Sequence, residues 1–529
     1  MSKDAVTPDE LIHALLKTDA DLLWFGGIGT YVKAAHETHA AAGDRANDAI
    51  RVDANQLKVK VIGEGANLGV TQAGRIEFDL HGGRINTDAI DNSAGVDSSD
   101  HEVNIKILAA EAVREGDLDP ADRNDLLAEM TSDVAALVLR HNYTQTFALT
   151  LAETTAKEDH DALERLMEYL EDRGVLNRAL ETLPETGEMK VRAERGQPLT
   201  RPELAVLLAW SKITLFDDIV ASDIPDDPYF EDLLVNYFPS PINTYSKAMS
   251  NHRLKREIIA TIIANRVLDM AGPVALLRLR EVTGGDNAQV ARGLEAARAV
   301  LNFDGFQREV DQLDTIVPAD VQIDLRLHAA SAMVDAALWF IETHPDLHVG
   351  DAVQHTEAPL NEFKAILAGI HSPFPAARIE REVRSLMKRG ASEEISRWAA
   401  AMGQFAQGLL VVDLAGKAGV SVEAAGKAFY TIGDQLRIDR LRAMARDNLL
   451  HADYWDRVAG RRLLNELVRM QADATEKALA GDGADAWLAE RNDARKALLA
   501  ELHTLGKDRN WAFARFALAA DALRQFMRH

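Results

Sequence analysis

The sequence predicts two kinds of structure in one chain: a small parallel α/β sheet at the N-terminus and a large, mainly α-helical region after it. Two observations carry this. Up to about residue 115, β-branched runs alternate with Gly-rich turns and short helical stretches, the pattern of parallel βαβ pairing. Beyond that point apolar residues recur at the helical period in segment after segment. The expected division is therefore 1–115 and 116–529, the second part packing as two subdomains.

In chain order, Thr7-Pro8-Asp9-Glu10 reads as a helix start, with Thr7 as cap, Pro8 first and Glu10 third. Asp21 to Phe25 reads as a short buried strand, and Gly26-Gly27-Ile28-Gly29-Thr30 as a turn. A helical stretch is expected through Asn47 to Ile50. Leu57 to Ile62 is the next predicted strand, with Val59, Val61 and Ile62 supplying β-branched bulk, broken by Gly63-Glu64-Gly65-Ala66-Asn67. A further strand is expected from Arg84 to Asp88, ending in Asp91-Asn92-Ser93-Ala94-Gly95. Two polar, Gly-containing turns at strand ends occupy the places where open α/β sheets bind ligands.

The helical part includes Asp122 to His141, Leu163 to Leu170 and a second capping box at Thr200-Arg201-Pro202-Glu203 that opens Leu204 to Val220. Arg256 to Met270, Ala329 to Glu342, Phe363 to Ile370, Ile379 to Met387, Ala424 to Tyr430, Leu436 to Leu449 and Ala486 to Leu505 follow the same period. Leu410 to Leu414 reads equally as strand or helix. Glu185 to Glu188 and Arg195 to Pro198 read as surface connections.

Composition bounds function more loosely. A net charge of −24 over 529 residues argues against nucleic-acid and anionic-membrane partners, which need clustered Lys and Arg. The longest apolar stretches, such as Leu204 to Trp210, fall far below the roughly 18 residues of a membrane span. The absence of cysteine removes disulfides, thiolate zinc sites and a catalytic thiol. The first ten residues lack the basic segment and apolar core of a signal peptide, so a cytoplasmic location is expected.

Among candidate sites, Gly63-x-Gly65 lacks the third glycine of a dinucleotide fingerprint, with Leu68 in its place, and no clear helix of the right length is expected after it. Ser99-Asp100-His101-Glu102 fits a capping box whose free helix amides suit a carboxylate or phosphate. No metal site is expected: His36/His39 and His101/Glu102 lack further ligands at suitable spacing. The Arg-rich run Arg437 to Arg446 reads as the wet face of a packed helix.

The order of these motifs resembles the glutamate dehydrogenases. Asp21-Leu22-Leu23, then Leu57 to Asn67 with its Glu64-Gly65-Ala66-Asn67, then Asn92-Ser93-Ala94-Gly95-Val96 with Ser99 and Glu102 follow that family's D-x-L, E-G-A-N and N-A-G-G-V-x-x-S-x-x-E segments. The wording of Gly26 to Ala34, Asn86 to Asp97, Leu199 to Trp210 and Tyr430 to Arg442 is similar to the large bacterial NAD-specific members. The resemblance implies that residues 1–115 are the C-terminal half of a Rossmann-like NAD-binding domain. It places Asn67 and Asn92 at the nicotinamide end of the cofactor, with Glu64 and Gly65 in the same loop, and Gly27 and Gly29 near the adenosine side. Gly95 would keep the chain thin where the nicotinamide passes, and Ser99 would hold the side-chain carboxylate of glutamate. The implied substrates are L-glutamate and 2-oxoglutarate, with a homo-oligomer as the intact enzyme. The family's catalytic lysine and aspartate and its pyrophosphate-binding Gly-rich turn match no position here, so the chain is expected to resemble the C-terminal third of a longer enzyme and to be inactive alone. Half a doubly wound sheet should also leave an edge and a packing face without partners. The rival expectation is a non-catalytic helical regulatory or oligomerisation module.

Overall fold

The computed structural model describes residues 5–449, 454–506 and 513–528, and these fall into two compact units, Met1–Ala291 and Arg292–His529. The chain is mostly helical with a small parallel sheet region at its N-terminus.

The first unit opens with α1 (Pro8–Leu16), capped as expected: Thr7 accepts from the Glu10 amide and Glu10 returns the bond to the Thr7 amide. Strand β1 (Leu22–Phe25) follows, then two-residue strands β2 (Val32–Lys33) and β3 (Val52–Asp53), and β4 (Val61–Glu64). β1 pairs in parallel with β4, Leu22 facing Val61 and Phe25 facing Glu64. β2 pairs in parallel with β3 as a second two-stranded sheet. A small core of Phe25, Val32, Val52, Ile62, Val70, Phe78 and Ile85 lies beneath.

Several expectations are corrected here. The predicted strand at 57–62 is displaced: a 3-10 turn at Ala54–Gln56 ends on Leu57, and only 61–64 come into register with β1. β-branched content reports packing potential rather than pairing, and it overran the true start. The strand expected at 84–88 shrinks to one bridge between Arg84 and Val61, because Asp88 already begins a helical turn. Asn47 to Ile50 is not a regular helix; a single 3-10 turn at Arg45–Asn47 stands there. A helix does follow the Gly63-x-Gly65 loop, α2 (Gln72–Leu80), capped by the Thr71 hydroxyl.

α3 (Asp88–Asp91) runs almost directly into α4 (Ser93–Glu115), with Asn92 between them. The helical part continues with α5 (Arg123–Glu129), α6 (Thr131–Thr155), α7 (His160–Asp172), α8 (Thr186–Glu194), α9 (Arg201–Ala221), α10 (Glu231–Tyr237), α11 (Ser246–Ser250), α12 (Lys255–Ala271) and α13 (Pro273–Thr283). Asp122 to His141 is thus two helices broken at Met130, and Thr186 to Glu188 begin a helix instead of a surface connection. The capping box at Thr200 forms, with Glu203 fully buried and accepting the Thr200 amide at 2.7 Å. α14 (Asn287–Val300) crosses the division between the units.

The second unit is helical among the described residues: α15 (Phe303–Asp311), α16 (Ala319–Thr343), α17 (Val349–Ile370), α18 (Pro373–Lys388), α19 (Glu393–Ala418), α20 (Val422–Gln435), α21 (Ile438–Leu449), α22 (Tyr454–Leu479), α23 (Ala484–Glu490), α24 (Asn492–Leu505) and α25 (Phe513–Arg528). Leu410 to Leu414 is helical, inside α19. That helix is apolar and long enough to cross a membrane, and it packs against α16, α17, α18 and α20. Ala486 to Leu505 is interrupted at Arg491. Arg442, read from sequence as part of a wet face, is buried with Asp439.

Candidate functional site

Because β1 and β4 are parallel neighbours, the loops that leave them, 26–31 and 65–71, emerge side by side at one sheet edge. The Ala66 amide donates to Phe25 O at 3.0 Å, and the Tyr31 amide to Gly69 O at 2.9 Å. This is the edge at which α/β sheets hold ligands.

The 65–68 loop is fastened to α3 by acidic side chains. Asp91 accepts the Glu64 amide at 2.9 Å and the Asn86 side-chain amide at 2.6 Å. Asp88 accepts the Leu68 amide at 2.8 Å. Leu68, which stands where a fingerprint would carry its third glycine, takes the left-handed conformation at φ +61°. A leucine is costly there, so the Asp88 bond helps hold a backbone shape that glycine would adopt freely. Asn92 Nδ2 then donates to Asn67 Oδ1 at 2.8 Å, joining the two sequence-predicted asparagines.

Glu64 departs from the predicted picture. Its side chain is fully buried, and both oxygens receive Arg75 of α2, at 2.6 and 2.9 Å. Burial pushes the Glu64 carboxyl up from its ordinary value, against the pull of Arg75. Arg75 also pairs with Asp88 at 3.1 Å. Glu64 therefore shapes the loop from below and does not face its open side.

The glycines divide as well. A Cβ on Gly65 would lie 2.3 Å from the Trp24 ring, and one on Gly63 2.6 Å, so the indole of β1 is what approaches the backbone closely. Gly29, at φ +145°, is packed against Tyr31 and Asn47. Gly27 is exposed with open space around it. A Cβ on Gly95 would meet Asn92 Oδ1 at 2.9 Å, which would push against the asparagine pair. Leu22, Trp24 and Val61 are exposed, so the strand expected at 21–25 is not buried: Leu22 and Trp24 turn one face to solvent and only Phe25 is fully buried.

Ser99 is a clear correction. It does not cap a helix: α4 begins at Ser93, and Ser99 lies in its second turn, exposed, its hydroxyl donating to Val96 O at 2.7 Å. The capping pattern Ser-x-x-Glu was present, but α3 delivers the chain into helical geometry six residues earlier. The helix-terminus argument for an anion at Ser99 therefore falls; what stands is an exposed hydroxyl on the α4 face that follows Asn92.

Two contributors were missed from sequence. Arg201, the residue before Pro202, reaches Asn86 at 2.5 Å, Thr150 Oγ1 at 3.0 Å and Thr146 O at 2.8 Å, and so braces the 84–88 segment. Asn142 of α6 donates to Ile90 O at 2.8 Å and Ser93 Oγ at 2.9 Å. The Thr-Arg-Pro-Glu capping box was legible, but nothing in its spacing tells which segment its arginine meets.

Comparison with known proteins bears on this arrangement. Residues 1–152 match the family model described as "Bacterial NAD-glutamate dehydrogenase, catalytic domain", and residues 196–525 match "Glutamate dehydrogenase, C-terminal". The chain is 42% identical over 442 residues to the NAD-specific glutamate dehydrogenase of Pseudomonas aeruginosa, covering 82% of this chain and 27% of that protein. It is 37% identical over 492 residues to that of Halomonas elongata, covering 93% and 30%. With that of Mycobacterium tuberculosis it shares 39% over 395 residues, covering 74% and 24%. The chain thus spans less than a third of the length of these relatives.

Proposed function

The chain belongs to the bacterial NAD-specific glutamate dehydrogenase family, and on that premise we propose that residues 1–115 are the second half of a Rossmann-like NAD-binding domain. The reaction of the whole enzyme is then oxidation of L-glutamate with NAD and water to 2-oxoglutarate, ammonia and NADH. NAD supplies the hydride acceptor. This chain's residues bind and orient: Asn67 and Asn92 offer amide groups at the nicotinamide end, the open turn around Gly27 lies on the adenosine side, and the Ser99 hydroxyl receives the side-chain carboxylate of glutamate. Glu64, Arg75, Asp88 and Asp91 act beneath them as positioning residues.

The observation that carries this reading is the Asn67–Asn92 bond beside the paired ends of β1 and β4, made from the two motifs that the family resemblance singles out. The family's lysine and aspartate match no position in this sequence, so we propose that the chain alone binds cofactor without turning over substrate. A titration of the purified chain with NAD, read by NMR on the Asn67 and Asn92 side-chain amides, tests the first part. The expected result is saturable shifts in both. Truncating Asn92 to Ala should weaken binding roughly fivefold, the worth of about one hydrogen bond. No shift at either amide would overturn the assignment, and a glutamate-dependent rise in NADH absorbance would overturn the claim of inactivity.

A further inference from the structure

His101 is fully buried on α4, and neither Nδ1 nor Nε2 has a hydrogen-bond partner. An imidazole carries at least one donor, and leaving its polar atoms unpaired in the interior costs about 1–3 kcal/mol per group. Tyr237 stacks against its ring at 4.4 Å. His141 of α6 also stacks with it, at 5.7 Å.

The group that faces His101 is Asp97, one helical turn earlier on α4. Asp97 Oδ1 lies 3.7 Å from His101 Nε2, and Oδ2 lies 2.8 Å from His141 Nδ1. One donor atom from each of the three residues falls within 4.8 Å of the others. The ion-pair partners of Asp97 among the described residues are these two imidazoles. Lys212 pairs instead with Asp269, and Lys106 with Glu102.

We propose that Asp97, His101 and His141 form a binding site for a divalent transition-metal ion of the zinc class. Two imidazole nitrogens and one carboxylate are the donor set that borderline ions accept. Tetrahedral zinc with bonds of about 2.0–2.2 Å sets its ligand atoms about 3.3–3.6 Å apart. Here the two Asp97 oxygens lie 3.7 Å from His101 and 2.8 Å from His141, and one ligand atom from each of the three residues falls within 4.8 Å of the others, so side-chain rotations of about an ångström close the site. The ion takes up the unpaired lone pair of His101 Nε2 and the unneutralised charge of Asp97 together. His141 and Asp97 are partly exposed, so ion entry is open and a fourth position faces water, the pattern of sites that keep an exchangeable ligand. The spacing Asp97-x-x-x-His101 puts two ligands on one helix face, while the third comes from 40 residues downstream. Sequence spacing missed the site for that reason. The proposal rests on α4 and α6 alone and does not depend on the dehydrogenase reading.

The test is isothermal titration of the chelator-treated full chain with Zn²⁺, paired with the visible spectrum of the Co²⁺-loaded chain. One ion per chain with a tetrahedral Co²⁺ spectrum is expected. Asp97→Asn and His141→Gln, both at partly exposed positions, should each weaken Zn²⁺ binding at least about tenfold while thermal unfolding confirms that they fold. Glu102→Gln, on the same helix but outside the cluster, should bind as the unaltered chain does. Absence of saturable binding, or binding that both ligand variants retain in full, would overturn the site. NAD titration of the same samples reports separately on the dehydrogenase reading.

Discussion

The N-terminal α/β layer and the second unit are held together by different means. In the second unit, Ile432, Leu436, Leu467, Trp487, Phe516 and Phe526 belong to one apolar cluster that joins helices far apart in sequence. In the N-terminal layer the apolar core is small, and carboxylates fix the loops. Arg51 donates to Thr30 O, while Asp44 accepts the Thr30 amide and the Asn47 side chain. Glu64, Asp88 and Asp91 do the same work around the 65–68 loop. Burial of side chains sets helix positions but does little for loop backbone, whose amides need acceptors. The candidate residues sit in the half where acceptors, rather than packing, define the chain path.

The sharpest way to break that contrast is to remove one charge from the clasp. Arg75→Ala leaves the fully buried Glu64 carboxylate without its partner and should cost about 3–5 kcal/mol, a loss that hydrogen exchange should localise to residues 61–92. The paired replacement Glu64→Leu with Arg75→Met should cost less than the single change, because the fully buried Glu64 charge is removed with its partner and only the less buried Asp88 loses an ion pair. If the single change alters exchange no more in 61–92 than in the second unit, the clasp is not what holds the loop.

The same contrast explains what the sequence made legible. Helices such as α7, α9 and α12 were visible because Leu, Ile, Val and Met recurring at the 3.6-residue period over several turns have one structural meaning. β2 and β3 escaped because two-residue strands hold no period at all. Ser99 misled because a capping box is a local pattern, whereas the start of α4 is decided by α3 and by Asn142 from α6. Asn67 and Asn92 were legible as family motifs, but their mutual bond, the burial of Glu64 and the brace from Arg201 are contacts between distant segments.

The second unit carries its own exception, and it yields a pH prediction. Asp439 is buried beside Arg442, and burial raises its carboxyl to about 6 from an ordinary value near 3.8. A folded pKa above the unfolded one means that the folded state holds the proton more tightly. Its contribution is fully present below about pH 3.8 and lost as pH rises through 6. The difference corresponds to about 3 kcal/mol between those limits. Asp439→Asn should remove that slope from the unfolding of the second unit, read as the difference between variant and parent from pH 4 to 7. Parallel profiles would show that Asp439 ionises normally.

A smaller effect sharpens the account of the glycines. Gly65→Ala places a methyl where the Trp24 ring now lies, and the exposed indole can swing outward, so about 1–2 kcal/mol is expected. The Trp24 fluorescence, isolated by subtracting the spectrum of Trp24→Phe, should shift to the red. An unshifted spectrum would mean that the ring does not rest on the loop.

Ser99→Ala should have the least effect on folding and therefore separates the two roles considered for this residue. A helix N-cap replaced by Ala loses about 1 kcal/mol. Ser99 instead lies in the second turn of α4, exposed, bonded only to the Val96 carbonyl of its own helix. At such a position Ala has the higher helix propensity, so stability should rise by up to about 0.5 kcal/mol. Chemical denaturation of the first unit reads this directly, and a loss near 1 kcal/mol would restore the cap. In an intact dehydrogenase the same substitution should raise the KM for glutamate while leaving NAD binding unchanged. A residue that is neutral to folding yet costly to substrate binding marks a side chain kept for a ligand, and that pairing of outcomes is what a purely structural serine cannot produce.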